Sequence, residues 1–141
     1  MNQGAGPERA DRERHVLLEE RTTRAVIGAF YDVYDRLGYG FLEAVYARAL
    51  AIELRRRGLA FVREARVEVW YREELVGTLR ADFIVERRIV VELKATVALG
   101  AVDEAQLLNY LRARGLEVGL LLHFGPRARF RRVVAWPAAV S

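Results

Sequence analysis

Lys94 is the single lysine in a chain that has 22 arginines, and it lies in the apolar run Ile89-Val90-Val91-Glu92-Leu93-Lys94-Ala95. An ammonium is a compact point charge that can lie beside a metal-bound water and a phosphate oxygen, whereas a guanidinium is a wide planar fork. Arginine would not replace lysine well in such a place. The exception therefore indicates chemistry at Lys94.

Two carboxylates are predicted to lie beside this lysine. Side chains alternate across a β-strand, so Glu92 and Lys94 should share one face about 7 Å apart. Asp82 is expected nearly opposite Glu92 if the hairpin between them is within one residue of symmetric. Neighbouring carboxylates repel, and a hard divalent cation such as Mg²⁺ would keep both ionised. The alternative is a cross-strand salt bridge from Lys94 to Asp82 or Glu92.

Three further side chains could join this group. Glu43 is predicted in the first turn of a helix, where it borders apolar surface, although it could simply serve the helix N-terminus. Gln106 precedes Tyr110 by four residues, which places both on one face of the helix that follows the Glu92 strand. An amide and a phenol can orient a lysine, a water or a phosphate. An amphipathic tyrosine on a capped helix is the ordinary explanation.

These side chains depend on a predicted element order of α-α-β-β-β-α-β-β. Apolar residues recurring every three to four positions predict helices over about 13–37, 41–57 and 102–114. Alternation and apolar density predict strands over about 61–71, 75–85, 89–95, 116–124 and 130–136, with turns at 72–74 and 86–88. The third strand should be central in the sheet, because its apolar density requires cover on both faces.

Length and composition bound the class of protein. The 141 residues suit one domain, predicted over 15–141, after a disordered N-terminal segment at 1–14. No apolar stretch approaches the length of a membrane span and no secretory signal is evident, so we expect a cytoplasmic protein without a membrane partner. The chain has no cysteine, and its two histidines are isolated, so any metal should have oxygen ligands.

Charge offers a weaker indication of a polyanionic partner. The formal net charge is +4, although an arginine-rich background can give this excess without any nucleic acid. Arg127, Arg129 and Arg131 alternate near the C-terminus and would present a cationic stripe to the phosphates of a nucleic-acid strand. A charged edge strand that resists pairing with other sheets explains the same pattern equally well.

Four ordered motifs resemble those of a known family. The segment Gly40-Phe41-Leu42-Glu43-Ala44-Val45-Tyr46 matches the Gly-x-x-Glu-x-x-Tyr signature that names the GxxExxY proteins. Arg80-Ala81-Asp82, Val91-Glu92-Leu93-Lys94 and Gln106-Leu107-Leu108-Asn109-Tyr110 follow it in order. The whole resembles a PD-(D/E)xK nuclease-like domain over about residues 25–136, with Ala81 where the eponymous proline would stand. The Gln-x-x-x-Tyr element is also similar to that of RecB-like exonucleases.

The resemblance implies an α/β (α+β) fold of the restriction-endonuclease-like type, with an αβββαβ core and a mixed central sheet flanked by helices. It also implies a metal site. Asp82, Glu92 and the Leu93 carbonyl would hold one or two Mg²⁺ or Mn²⁺ ions, with Glu43 as a further or water-mediated ligand.

The implied activity is metal-dependent hydrolysis of phosphodiester bonds in nucleic acid, with DNA as the expected partner. Lys94 would position or activate the attacking water, while Gln106 and Tyr110 would order the site or touch the backbone. A second hypothesis is a non-catalytic nucleic-acid- or protein-binding module that retains the nuclease fold, and a third is a structural α/β domain with ion-paired strands. A homodimer would let such a nuclease address two strands, although the sequence shows no clear interface signature.

Overall fold

The computed structural model describes residues 6–135 as three helices and five strands in the predicted order. The helices are α1 (Pro7–Leu37), α2 (Glu43–Arg56) and α3 (Ala101–Arg114), and the strands are β1 (Phe61–Tyr71), β2 (Glu74–Val85), β3 (Ile89–Lys94), β4 (Val118–Phe124) and β5 (Ala128–Val134). The predicted end of the last strand, at Trp136, lies outside the described residues.

Helix α1 differs from the sequence-based prediction, because it begins at Pro7 within the segment that we expected to be disordered. Proline suits the first helical turn, since its φ is already helical and its missing N–H would have had no partner there. Glu8 lies favourably at the positive helix end, and Arg9 and Glu13 form an ion pair one turn apart. This part of α1 is exposed, so it has no apolar stripe to reveal it in the sequence.

The five strands form one sheet in the order β1-β2-β3-β4-β5, with β3 in the centre as predicted. Strands β3 and β4 are parallel, and the other neighbouring pairs are antiparallel. Helix α3 provides the connection that a parallel pair needs. The mixed sheet flanked by helices confirms the restriction-endonuclease-like α+β fold. In the described part of the chain, no helix combines the length and apolar character required to cross a membrane.

The sheet separates two apolar cores. Val91 and Leu93 lie in the core that contains residues of α1 and α2, whereas Val90 lies in the core that contains residues of α3. Because neighbours on a strand face opposite sides, this assignment puts Glu92 and Lys94 on the side of α3. The prediction that these two charged residues share one face is therefore confirmed.

Helix α3 lies very close to the sheet at Gly119 of β4. A Cβ atom built on Gly119 would come 2.8 Å from Leu107 Cδ1 of α3. Leu107 is fully buried, and its Cγ and Cδ2 would lie 3.0 Å and 3.1 Å from the same Cβ atom, so the whole side chain would have to shift. The absent side chain at position 119 thus sets the distance of α3, and of Gln106 and Tyr110 on it, from the sheet.

We predict that Gly119→Ala lowers the free energy of unfolding by about 1–3 kcal/mol, because the added methyl group overpacks the α3 core. Urea unfolding measures this change. Gly77→Ala is the matched control, since it adds the same methyl group to a strand where no atom lies within 4 Å. Equal stability of the two variants would contradict the close approach of α3.

Candidate metal and catalytic site

At Asp82 and Glu92, the backbone hydrogen bonds between β2 and β3 end, and hydrogen bonds from backbone N–H groups to side-chain carboxylates replace them. The ladder of these two strands runs only as far as Phe83 opposite Val91, a register that puts Asp82 opposite Glu92, as predicted. Beyond it, the Asp82 N–H donates to Glu92 Oε1 at 2.8 Å, and the Leu93 N–H donates to Asp82 Oδ2 at 2.7 Å. The two carboxylates therefore occupy the place where backbone carbonyls would otherwise continue the ladder.

The Leu93 carbonyl faces the same gap between the strands. In an extended strand, the N–H and C=O of one residue point to the same side. Since the Leu93 N–H points at Asp82, its carbonyl is directed toward β2 as well. Two carboxylates and one backbone oxygen thus converge, which is the set of hard oxygen donors that Mg²⁺ and Mn²⁺ accept.

Asp82 and Glu92, which together form the acid pair of the site, lie where burial outweighs the positive charge nearby. Glu92 is only 6% exposed. Burial, followed by the negative charge of Asp82, raises the pKa of Glu92 to about 8, although the Asp82 N–H and Lys94 oppose the rise. Burial likewise raises the pKa of Asp82, against the opposing hydrogen bond from Leu93. A divalent cation would stabilise the ionised form of both carboxylates, so the residues fit the metal that the resemblance implies.

Glu43 reaches the site through a connection that Tyr46 holds in place. The Tyr46 hydroxyl donates to the Gly38 carbonyl at 2.6 Å and accepts from the Phe41 N–H at 3.2 Å. Its ring stacks on Phe124 with the centroids 4.2 Å apart. Glu43 precedes Tyr46 by three residues, so the two lie on neighbouring parts of the same helix face. The tyrosine that ends the motif therefore fixes the start of α2 and, with it, Glu43.

Electrostatics connects Glu43 to the acid pair. Partial desolvation, and then the charge of Asp82, raises the pKa of Glu43, whereas Lys94 lowers it. In residues 6–135, one group of three possible ligand atoms lies within 4.8 Å of one another, and it does not include Glu43, Asp82 or Glu92. The Glu43 carboxylate is therefore farther from the acid pair than direct sharing of one ion would require. This spacing favours Glu43 as an outer ligand that acts through water.

Lys94 forms its ion pair with Asp103 rather than with the acid pair. Its Nζ lies 3.8 Å from Asp103 Oδ1, and this is its sole ion pair in the described residues. The other oxygen of Asp103 accepts from the Gly100 N–H at 2.9 Å and so caps α3. The cross-strand salt bridge that we considered as an alternative does not form, because the first turn of α3 presents a carboxylate at the end of β3.

Gln106 and Tyr110 share one face of α3, as predicted. The Gln106 amide lies 3.4 Å from the Tyr110 hydroxyl. Burial, followed by the charges of Glu92 and Asp82, raises the pKa of Tyr110. Tyr110 is therefore close enough to respond to the acid pair, while Gln106 is exposed at the side of the site.

A row of side chains leads from Lys94 across the sheet. Lys94 pairs with His123 of β4, and His123 pairs with Arg129 of β5. Residues paired in this way project from the same face of a sheet. Because of this pairing, Arg129 lies on the same side of the sheet as Lys94, and its side chain is exposed.

The other two arginines of the predicted stripe border the same region. Arg127, Arg129 and Arg131 all line a groove of about 710 Å³, together with the loop at residues 97–99. Arg131 also forms an ion pair with Glu104 of α3 at 2.5 Å. Arg127 and Arg129 are therefore the two that have their charges available for a ligand in this groove.

Two residues near the site were not found by sequence reasoning. Asp103 lies in the first turn of α3, where sequence reasoning gives it no role in the site, and the histidines, including His123, were expected to be isolated. His123 is buried, and its Nε2–H donates to the Thr96 carbonyl at 2.7 Å, which holds the loop that follows Lys94. Both contacts are tertiary, so neither leaves a signal in local spacing.

A separate cluster lies at the opposite end of the sheet. His15, Glu19 and Glu117 place one ligand atom each within 4.8 Å of one another, so His15 is not isolated as the sequence indicated. His15 Nε2 and Glu19 Oε1 are 2.6 Å apart. Glu117 precedes β4, whose first residue pairs with Ile89 at the start of β3. The cluster is thus distant from the end of β3 where the acid pair lies.

The fold and the acid pair agree with the comparison to known families. Residues 20–133 match the family PDDEXK_3, described as the PD-(D/E)XK nuclease superfamily. The chain therefore belongs to the PD-(D/E)XK nuclease superfamily.

One solved structure supports the same fold. The crystal structure of SSO0001 is similar with a TM-score of 0.53 and 22% sequence identity, over 89% of this chain and 62% of that chain. At this identity the likeness concerns the fold alone. No curated protein matches the sequence.

We predict that the metal-free protein loses stability as the pH rises from about 5 to about 8. The pKa of Glu92 is 4.5 in the unfolded chain and about 8 in the folded one, so the folded state binds more protons in this window. The raised pKa values of Asp82 and Glu43 act in the same direction. One proton corresponds to a slope of at most about 1.4 kcal/mol per pH unit.

Urea unfolding at several pH values, with a chelator present, measures this slope. Glu92→Gln should flatten it, because the amide carries no charge at any of these pH values. Glu68→Gln, an exposed glutamate on β1, is the control and should keep the wild-type slope. A wild-type slope that persists in Glu92→Gln would contradict the assignment.

Proposed function

We propose that this protein is a metal-dependent nuclease that hydrolyses phosphodiester bonds of nucleic acid, with DNA as the substrate. The observation that carries the proposal is the half-buried Asp82 beside the buried Glu92, with both carboxylates in the gap between β2 and β3, in a chain of the nuclease superfamily. The segment from Gly40 to Tyr46 supports a closer assignment to the GxxExxY proteins, because its tyrosine fixes the start of α2 and the charge of Asp82 acts on its glutamate.

The metal-binding residues in this proposal are Asp82, Glu92 and the Leu93 carbonyl, with Glu43 as the outer ligand. Mg²⁺ or Mn²⁺ held by these oxygens would supply positive charge to offset the charge that builds on the phosphoryl oxygens, and would favour hydroxide at neutral pH. The gap between β2 and β3 supplies the oxygen donors on which the proposal depends.

Lys94 is the proposed catalytic cation. It lies beyond Glu92 on the same strand face, where its ammonium can attract the attacking water and a phosphate oxygen. Asp103 acts as a positioning residue, since it limits the directions that the lysine side chain can take. Gln106 and Tyr110 lie on α3, on the side of the sheet that Glu92 faces, and can orient the phosphate by hydrogen bonds.

The proposed path of the nucleic-acid strand follows the row from Lys94 to Arg129. Arg127 and Arg129 line the groove beyond β4 and can pair with phosphates on one side of the cleaved bond. A single site addresses one strand, so for a duplex substrate we propose a homodimer.

Cleavage is tested with labelled single-stranded, duplex and branched DNA and with RNA, in Mg²⁺, Mn²⁺ or chelator. We predict metal-dependent cleavage by the wild type and none by Asp82→Ala. Lys94→Ala should lower kcat by about 10²–10³, the usual cost of removing one group that stabilises transition-state charge. Lys94→Arg should restore little activity, because a planar fork does not reproduce a point charge.

Glu68→Gln controls for the handling of purified variants, since it lies on β1 outside the proposed machinery. Cleavage that survives both chelator and Lys94→Ala would rule out the mechanism. Binding of DNA without cleavage under any metal condition would favour the non-catalytic binding module instead.

The arginine path gives a separate prediction that needs no cleavage. Fluorescence anisotropy with labelled DNA, in chelator, measures the slope of log K against log salt concentration. Arg129→Ala should weaken binding to all sequences and reduce this slope by about 1, because one phosphate contact is lost. Arg56→Ala removes an arginine from the exposed end of α2, far along the chain from the groove, and should leave the slope unchanged. An unaltered slope in Arg129→Ala would remove this residue from the interface.

A further inference from the structure

Glu64 has an unusual backbone conformation for a residue inside a strand. Five non-glycine residues in the described part of the chain have positive φ: Glu64, Arg72, Glu73, Glu86 and Arg87. Four of them lie in the two hairpin turns that flank β2, where tight turns call for this conformation. Glu64 alone lies within a strand, with φ of 48° in β1. Such strained residues persist where the surroundings hold them, and they concentrate at functional sites.

The irregularity is directly opposite Asp82. The β1–β2 ladder keeps one register on both sides, with Arg63 paired to Phe83 and Ala65 paired to Ala81. Glu64 and Asp82 occupy the position between these pairs, and they are not themselves paired. The one strained residue of the sheet is thus the cross-strand neighbour of a proposed metal ligand.

The carboxylate of Glu64 is free to act. Glu64 is exposed and forms no ion pair with any other described residue, although Arg63 is its neighbour in the chain. The Arg63 guanidinium lies 5.4 Å from the centre of the Phe83 ring instead. Burial is the main cause of the raised pKa of Asp82, and the negative charge of Glu64 adds to it, although the charges of Lys94 and Arg63 oppose the rise more strongly. The Glu64 carboxylate is therefore not held by an ion pair with a described residue.

We infer that Glu64 is an outer carboxylate of the metal site, and that the left-handed backbone conformation of this residue presents its carboxylate beside Asp82. The inference rests on the proposed function, since it concerns the affinity of the same site for a divalent cation. It adds a ligand-supporting group from β1, a strand that none of the sequence motifs includes.

Mn²⁺ binding measured by isothermal titration calorimetry tests the inference without any cleavage assay. Glu64→Gln should raise the dissociation constant about tenfold, in the range found for groups that support metal ligands from outside. Glu68→Gln is the matched control, because it removes the same charge from the same strand at another exposed position. Its dissociation constant should match that of the wild type.

A second titration at about 0.5 M salt separates a local role from a distant one. Exposed charges farther apart than the screening length, which falls to a few Å at such salt, no longer interact appreciably. The tenfold loss in Glu64→Gln should therefore persist. A loss that disappears at high salt, or equal affinities of Glu64→Gln and wild type at low salt, would overturn the inference.

Glu64→Gly tests the backbone and the carboxylate together. Glycine adopts positive φ without strain, so the melting temperature should rise above that of Glu64→Gln. Its Mn²⁺ affinity should fall as in Glu64→Gln, and an unchanged affinity would also overturn the inference. Asp82→Ala distinguishes the two proposals: if the wild type binds no Mn²⁺, or Asp82→Ala still binds it, both proposals fail. If Asp82→Ala abolishes binding and Glu64→Gln does not weaken it, only the role of Glu64 fails.

Discussion

The whole site depends on the exchange of hydrogen bonds between Asp82 and Glu92. Buried N–H groups need acceptors, and here the side chains of the acid pair accept from the Asp82 and Leu93 N–H groups. These bonds favour ionised carboxylates, whereas burial and mutual repulsion favour protonated ones. The same two side chains therefore complete the hydrogen bonding of the sheet and place two carboxylates where their ionised forms are disfavoured. A cation bound here would offset the repulsion without breaking the hydrogen bonds, because each carboxylate has a second oxygen that these bonds do not use.

Helices on opposite faces of the sheet bring the remaining groups to this one place. On one face, Tyr46 ties the end of α1 to the start of α2 and so holds Glu43. On the other, the missing side chain of Gly119 lets α3 approach closely enough for Tyr110 to respond to the charges of the acid pair. The spacing of Gly-x-x-Glu-x-x-Tyr thus has a mechanical meaning: its tyrosine secures the turn from which its glutamate projects.

The sequence predicted what depends on short-range periodicity. The element order, the central place of β3 and the shared face of Glu92 and Lys94 all follow from helical and strand spacing, and the structure confirms them. The short hairpin likewise set Asp82 opposite Glu92. The pairing of Lys94 with Asp103 was not predictable, because it depends on how α3 crosses the sheet. The early start of α1 was missed because this exposed stretch has no apolar stripe.

In the proposed nuclease, a lysine at position 94 suits the site better than an arginine, because it leaves the acid pair open to a cation. An arginine fork binds a carboxylate through two parallel hydrogen bonds, and beside two carboxylates it would find such a partner at once. The site would then be closed by a salt bridge, and the repulsion that favours a cation would be gone. Lys94 instead lowers the pKa of Glu92 from a distance while Asp103 holds its ammonium. A compact charge kept on a separate carboxylate leaves the gap between β2 and β3 available.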